Sequence, residues 1–283
     1  MVKLKDLTWK DIGIRDFSPP DFRTHLNYVS CMKELAEGLE IQLNFSINSK
    51  SKYKKSYLFK KLRLADMIKN SLDEEYKKAI EENYFAKICS MWVPVKSYYL
   101  IFNLFLILHS LINDDKESLN YSHARSISTF RNLLKSNKLE FNKEEFNIVS
   151  SCGDALSFSS VSGDTLRYDI EENTRAKSIL KKLCKYKFDN FMRDEKIKNF
   201  RTKEDQLKRD LFFENSHISL FEFFYWYRIK TNYRDLSFLD QKIYEKDIVK
   251  FYECYYLLTM NFYNALKKLI NEISMKRFGE EII

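Results

Sequence analysis

The sequence predicts an all-α protein, a helical bundle with an N-terminal helical extension, and three observations predict it. Glycine (5) and proline (3) are scarce in 283 residues, while Leu, Lys, Glu, Phe and Tyr abound, so tight turns are few and helices run long. Apolar residues recur at alternating four- and three-residue steps, the spacing that lines one face of a helix. Residues 86 to 113 are apolar on every side, as a helix at the centre of a bundle is. A chain of this length buries a substantial core, as one large domain or two small ones. The expected division is an extension over residues 1–83 and a bundle domain over residues 84–283.

After an irregular lead, Ser18-Pro19-Pro20-Asp21 supplies a cap and prolines suited to a first helical turn. Phe22, Leu26, Val29, Met32, Ala36, Leu39 and Leu43 then form one stripe, predicting a first helix through 43. Residues 44–56 read as a polar connection. Leu58, Leu62, Ala65, Ile68 and Leu72 trace a second helix, and a third is expected around 73–84. Within the apolar centre, Pro94 predicts a kink or a fresh helix start. The run Tyr98–Ile112 is shorter than the ~20 residues that a bilayer requires and contains Asn103 and His109, so it reads as a core helix and no membrane partner is expected.

A polar turn, Asn113-Asp114-Asp115-Lys116, leads to a helix from Ser122-His123 through Ile127, Phe130, Leu133 and Leu134. His123 is expected at that helix start, exposed or capping, while His109 is expected in the core with one ring nitrogen satisfied. Cys152–Arg167 holds two of the five glycines and many serines but neither phosphate-loop pattern, and reads as a long loop. Ile248, Tyr252, Tyr255, Thr259, Phe262, Leu266, Leu269 and Ile273 predict a long last helix packed within the bundle.

The formal charge of +8 and sequence pI near 9.0 favour anionic partners, nucleic acid before an acidic protein or membrane surface. Two stretches concentrate that charge. Lys50, Lys52, Lys54, Lys55, Lys60, Lys61 and Arg63 interleave with Tyr53, Tyr57 and Phe59 and contain no acid, a mixture of cations for phosphates and rings for bases that single-stranded nucleic acid prefers. The same pattern also describes an ordinary solvated face. A second basic track runs from Arg175 to Arg209. Five scattered cysteines without a C-x-x-C pair indicate neither a disulfide framework nor a zinc site; the expected compartment is the cytoplasm, and no metal or cofactor is expected.

An aromatic run joins a polar cluster at 216–235. With Ser216 as cap, residues 218–229 are apolar except at Glu222 and Arg228, predicting a buried helix from which Arg228 emerges. A guanidinium does not shed its charge, so Arg228 meets either Asp235 in an internal clamp or an anionic ligand.

The order of these features resembles the HEPN (higher eukaryotes and prokaryotes nucleotide-binding) helical domains. The resemblance rests on Lys96-Ser97-Tyr98-Tyr99-Leu100-Ile101-Phe102, the Ser122-His123 helix, Tyr227-Arg228-Ile229-Lys230-Thr231-Asn232-Tyr233-Arg234-Asp235 and the long last helix, over roughly residues 84–275. It implies an up-and-down bundle, often a homodimer, in a family rich in metal-independent ribonucleases of bacterial toxin–antitoxin and antiphage defence systems. In those enzymes an arginine is followed after four to six residues by a histidine. Arg228 matches the arginine, but Tyr233 stands where the histidine would be, and no histidine follows any arginine at that distance.

Histidine suits RNA cleavage because its pKa lies near neutrality, whereas tyrosine is a weak base. The expected catalytic group is therefore Arg228 holding phosphate with Asn232 and Tyr233 positioning the 2′-hydroxyl. Lys52, Tyr53, Lys54, Lys55, Lys60, Lys61, Arg63, Lys230 and Arg234 are expected to bind the strand. The competing expectation is a non-catalytic helical scaffold for a partner protein.

Overall fold

In the computed structural model the apolar centre becomes the axis of the fold. The structure describes residues 20–47, 50–163, 165–166, 169–233 and 243–283, without the side chains of 20, 21 and 230–233. Ten helices follow one another among the described residues: α1 (Pro20–Leu35), α2 (Phe59–Ala79), α3 (Asn83–Asn113), α4 (His123–Lys135), α5 (Glu144–Asn147), α6 (Cys152–Ser157), α7 (Glu172–Asp194), α8 (Lys203–Asn215), α9 (Phe223–Tyr233) and α10 (Glu245–Phe278). Strands β1 (Ile41–Leu43) and β2 (Leu139–Phe141) pair antiparallel with Ile41 opposite Phe141; β3 (Val149–Ser151) and β4 (His217–Ser219) pair antiparallel with Val149 opposite Ser219. The protein is all-α, the short strand pairs only tying connections together.

Helix α3 is buried around most of its circumference because its sequence offers no polar face; α2, α9 and α10 pack along it, and α1 lies against α10. Among the described residues it is also the helix long and apolar enough to cross a membrane, and 78% of its most apolar window lies inside the protein. Thr259 of α10 donates to Ser97 of α3 at 2.7 Å, and Tyr76 of α2 stacks on Tyr256 of α10 at 4.0 Å. Residues of α1 and α2 share one hydrophobic core with those beyond residue 83. Phe105, Phe130 and Phe221 meet at its centre, with ring centroids 4.4 and 4.5 Å apart along that order.

Several elements differ from expectation, each for a local reason. The first helix ends at Leu35, and after Gly38 in the left-handed region (φ 65°) the chain extends into β1. There Leu39 and Ile41 are buried between exposed Glu40 and Gln42, so the end of the helical stripe is equally an alternating strand pattern. The second and third expected helices are one, α2, since Asp73 to Lys78 contains only residues that continue a helix readily. Helix α3 runs through Pro94 without interruption. The run from Ile218 begins as β4 and a 3₁₀ turn, Leu220–Glu222, before α9 starts at Phe223; an all-apolar run carries no periodicity to distinguish strand from helix. Residues 152–157 form a short helix capped by the Ser151 hydroxyl instead of extending the loop. The cap at Ser18-Pro19 lies outside the described residues.

His109 is fully buried, its Nε2–H donating to the Ser126 carbonyl at 3.1 Å while Nδ1 has no partner among the described residues. Burial lowers its pKa from 6.5 to about 4. A folded pKa below the unfolded value means that the associated stability is complete above pH 6.5 and is lost as pH falls through 4. Unfolding free energy should therefore fall by about 3 kcal/mol more in the parent than in His109→Leu between neutral pH and pH 4, measured by urea unfolding. Equal pH slopes would show that His109 does not govern acid stability.

Candidate functional site

The phase of α9 gives its neighbouring residues different duties. Tyr227 is buried, stacks on Phe223 at 4.1 Å and lies edge-on to His25 of α1 and Tyr186 of α7. One residue on, Arg228 points the other way, toward α3. Its guanidinium lies 4.5 Å from the ring centroid of Tyr98, 5.5 Å from that of Tyr225 and 5.7 Å from that of Tyr99, and Nη1 donates to the Tyr99 hydroxyl at 3.2 Å. Aromatic faces attract the cation through their electron-rich π clouds.

His123 enters the same cluster from the first turn of α4. The Ser122 hydroxyl accepts the Arg125 N–H and fixes where that helix starts, which turns His123 toward α3. There its Nδ1 hydrogen-bonds the Tyr98 hydroxyl, and its ring packs 4.2 Å from that of Phe102. It is half-buried rather than an exposed cap, because Phe102 and Tyr98 form a flat wall for it. Among the described residues no group hydrogen-bonds its Nε2. In the tautomer whose Nδ1–H donates to the Tyr98 oxygen, Nε2 carries the lone pair of the neutral ring.

Burial, then the Arg228 guanidinium, then the Lys61 ammonium hold the His123 pKa below the ordinary histidine value. The imidazole is thus neutral near pH 7 and available as a base. Burial raises the Tyr98 phenol despite the opposing influence of Arg228, so Tyr98 keeps its proton. Removing either cation should move His123 upward: in Lys61→Gln, its ring-proton NMR titration should have a higher midpoint than in the parent. A midpoint that stays in place would remove Lys61 from the site.

Of the expected strand-binding residues, Lys61 bears on this cluster through its charge, which helps to lower the His123 pKa. Lys60 and Arg63 are exposed on α2 beside it. In the stretch before them, Lys52 is exposed and binds Asp114 through its backbone N–H at 2.9 Å, Lys55 pairs with Glu280 at 2.9 Å, and the Tyr53 hydroxyl accepts from Ser110 at 2.7 Å while its ring meets that of Phe278 edge-on. Lys54 is exposed. Lys230, Asn232 and Tyr233 lie on the last turns of α9, but their side chains lie outside the described residues, as do Arg234 and Asp235 entirely. The Arg228–Asp235 clamp is therefore also outside them.

Sequence spacing missed His123, Tyr98 and Tyr99 as site residues, because three separate elements bring them together. The available signals were the polar start at Ser122-His123 and paired tyrosines interrupting an otherwise aliphatic centre. Among the described residues, no group of three or more His, Cys, Asp or Glu is placed to hold a metal ion. No protein-family model matches the chain, and searches of curated proteins and of solved structures give no match.

Proposed function

We propose that this protein is a HEPN-like, RNA-engaging helical protein that cleaves RNA without a metal at the Arg228–His123 cluster. The observation that carries the reading is the cluster of His123, Tyr98 and Arg228, in which burial and the fields of Arg228 and Lys61 hold the histidine pKa down. His123 Nε2 takes the proton of a ribose 2′-hydroxyl, whose oxygen forms a bond to the adjacent phosphorus. Arg228 and Lys61 stabilise the charge that builds on the phosphoryl oxygens. The bond from phosphorus to the 5′ oxygen breaks, and that oxygen receives a proton from the Tyr99 hydroxyl, which solvent restores. The products are a 2′,3′-cyclic phosphate and a 5′-hydroxyl.

The test is incubation with labelled RNA in excess EDTA. Fragments ending in 2′,3′-cyclic phosphate are expected, and the same RNA bearing 2′-O-methyl groups should remain whole. Cleavage that requires added metal, or leaves 5′-phosphates, would reject this chemistry. A second reading, a scaffold for a protein partner, is favoured by the outward face of α3, where Tyr84 (77% exposed), Ile88 and Trp92 (53% exposed) recur at four-residue steps. RNA that neither binds nor is cleaved would leave that reading standing.

A further inference from the structure

The 3₁₀ turn Lys55–Leu58 leads the chain into α2 with Leu58 fully buried, while its two neighbours in sequence, Tyr57 and Phe59, stay 50% and 53% exposed. Tyr53 anchors the turn. Its hydroxyl accepts from Ser110 of α3 at 2.7 Å, and its ring stands edge-on to Tyr57 with centroids 6.4 Å apart. Each exposed ring has a cation beside it: Lys116 lies 5.1 Å from the centroid of Tyr57, and Lys55, which also pairs with Glu280, lies 5.9 Å from that of Phe59.

Lys52, Lys54, Lys60, Arg63 and Lys116 are exposed in the same stretches, where Asp66 and Glu117 are the neighbouring exposed carboxylates in sequence. The basic and aromatic surface continues toward the Arg228–His123 cluster. Lys60 and Lys61 follow Phe59 in the first turn of α2, and Lys61 acts on His123 through its charge. Between Lys116 and His123 in the chain stands Tyr121, with the Arg125 guanidinium 4.0 Å from its ring centroid. Phe102, which packs against His123, and Ser110, which binds Tyr53, are about 12 Å apart along α3 at its rise of about 1.5 Å per residue, a distance that a few nucleotides span. Cations beside exposed flat rings suit a strand whose bases are unpaired: phosphates meet the cations, and every base has a π-face with which to stack. A duplex keeps its bases within its own stack.

We propose that Tyr57 and Phe59 form a stacking platform for the bases of single-stranded RNA and hold nucleotides that flank the one at His123. The assignment rests on the RNA-engaging reading above and adds to it the state of the substrate, a strand unpaired beside the bond that is cleaved.

The test is a fluorescence-anisotropy titration of the full chain with a labelled single-stranded 2′-O-methyl RNA of mixed sequence at about 0.15 M salt, where unspecific attraction is screened. Saturable binding is expected, weakened by roughly a hundredfold in Tyr57→Ala/Phe59→Ala, since stacking on one ring accounts for about tenfold. Tyr57→Leu/Phe59→Leu, which keeps apolar bulk without a flat face, should bind nearly as weakly while melting at the parent temperature. A strand of the same length without bases, and a duplex of the same sequence, should bind the parent and both variants alike. Tyr84→Ala/Trp92→Ala, which removes exposed rings from the outward face of α3, should bind the intact strand as the parent does. No binding of the intact strand, equal affinity of parent and variants for it, or an equal loss with the strand that lacks bases would overturn the platform; RNA cleavage by the parent in that case leaves the Arg228–His123 reading standing. Ring-dependent binding by a parent that cleaves no RNA would uphold the platform and end the cleavage reading instead. Binding of phosphatidylserine vesicles but not of the strand, lost in the same variants, would assign the rings to a membrane surface and overturn the proposal.

Discussion

His123→Ala should lower the rate of RNA cleavage by about 10²–10⁴-fold, the contribution of a positioned general base. On the proposed mechanism the effect belongs to the chemical step, because the imidazole takes the 2′-hydroxyl proton while Arg228 and Lys61 continue to attract the phosphate. Binding of uncleavable 2′-O-methyl RNA should therefore change little. The ring is half-buried against Phe102 and Tyr98, so its removal should reduce stability by about 1 kcal/mol, too little to unfold the protein. Imidazole added to the buffer should restore part of the activity of His123→Ala, since the space vacated lies beside the Tyr98 hydroxyl. A merely structural histidine would show no such rescue.

Arg228 provides the companion result. Arg228→Ala should abolish cleavage, and Arg228→Lys should also be impaired, because an ammonium lacks the planar fork that would grip two phosphoryl oxygens and that now lies 4.5 Å from the Tyr98 ring centroid. The two positions separate in the pH profile. With the neutral form of His123 active, the rate should fall on the acid side at a pH below the ordinary histidine value, and weak residual activity in Arg228→Lys should keep that limb low because the cation remains. A His123→Ala protein that cleaves at the parent rate would reject the site.

What was legible in the sequence was whatever repeats along a helix. The stripe from Phe22, the apolar centre and the Ile248–Ile273 seam gave helices α1, α3 and α10, and Arg228 stood out because it ends an aromatic run. The histidine was not legible, because the relation that matters joins residues 98, 123 and 228 across three helices. Spacing within nine residues of Arg228 offered only Asn232 and Tyr233. The basic stretch 50–63 illustrates the converse. Its residues are adjacent in sequence, yet Lys52 and Tyr53 are tied to the end of α3 while Lys61, in the first turn of α2, acts on His123 through its charge. Composition records charge but not the direction in which a chain turns.

The largest effect on stability should come from Arg277, whose side chain is 5% exposed at the end of α10. Its guanidinium donates to the Leu111 carbonyl at 3.2 Å, the Lys50 carbonyl at 3.4 Å and the Ile112 carbonyl at 3.5 Å, and faces Asp114 Oδ2 at 3.4 Å. It thus serves the last carbonyls of α3, which have no intrahelical donor. Asp114, in the left-handed region at φ 51°, in turn accepts from Ser51 and the Lys52 N–H. One cation therefore joins the ends of α3 and α10 to the chain that leads into α2. Arg277→Ala should destabilise the protein by about 3–5 kcal/mol in urea unfolding, because it strands a buried carboxylate and three carbonyls. Arg277→Lys should lose much of this, since a compact ammonium does not span acceptors on three sides. In Arg277→Met, adding Asp114→Asn should recover part of the loss, as the buried charge disappears and asparagine tolerates the left-handed backbone. An Arg277→Ala protein within about 1 kcal/mol of the parent would mean that water replaces the guanidinium and that α3 ends without it.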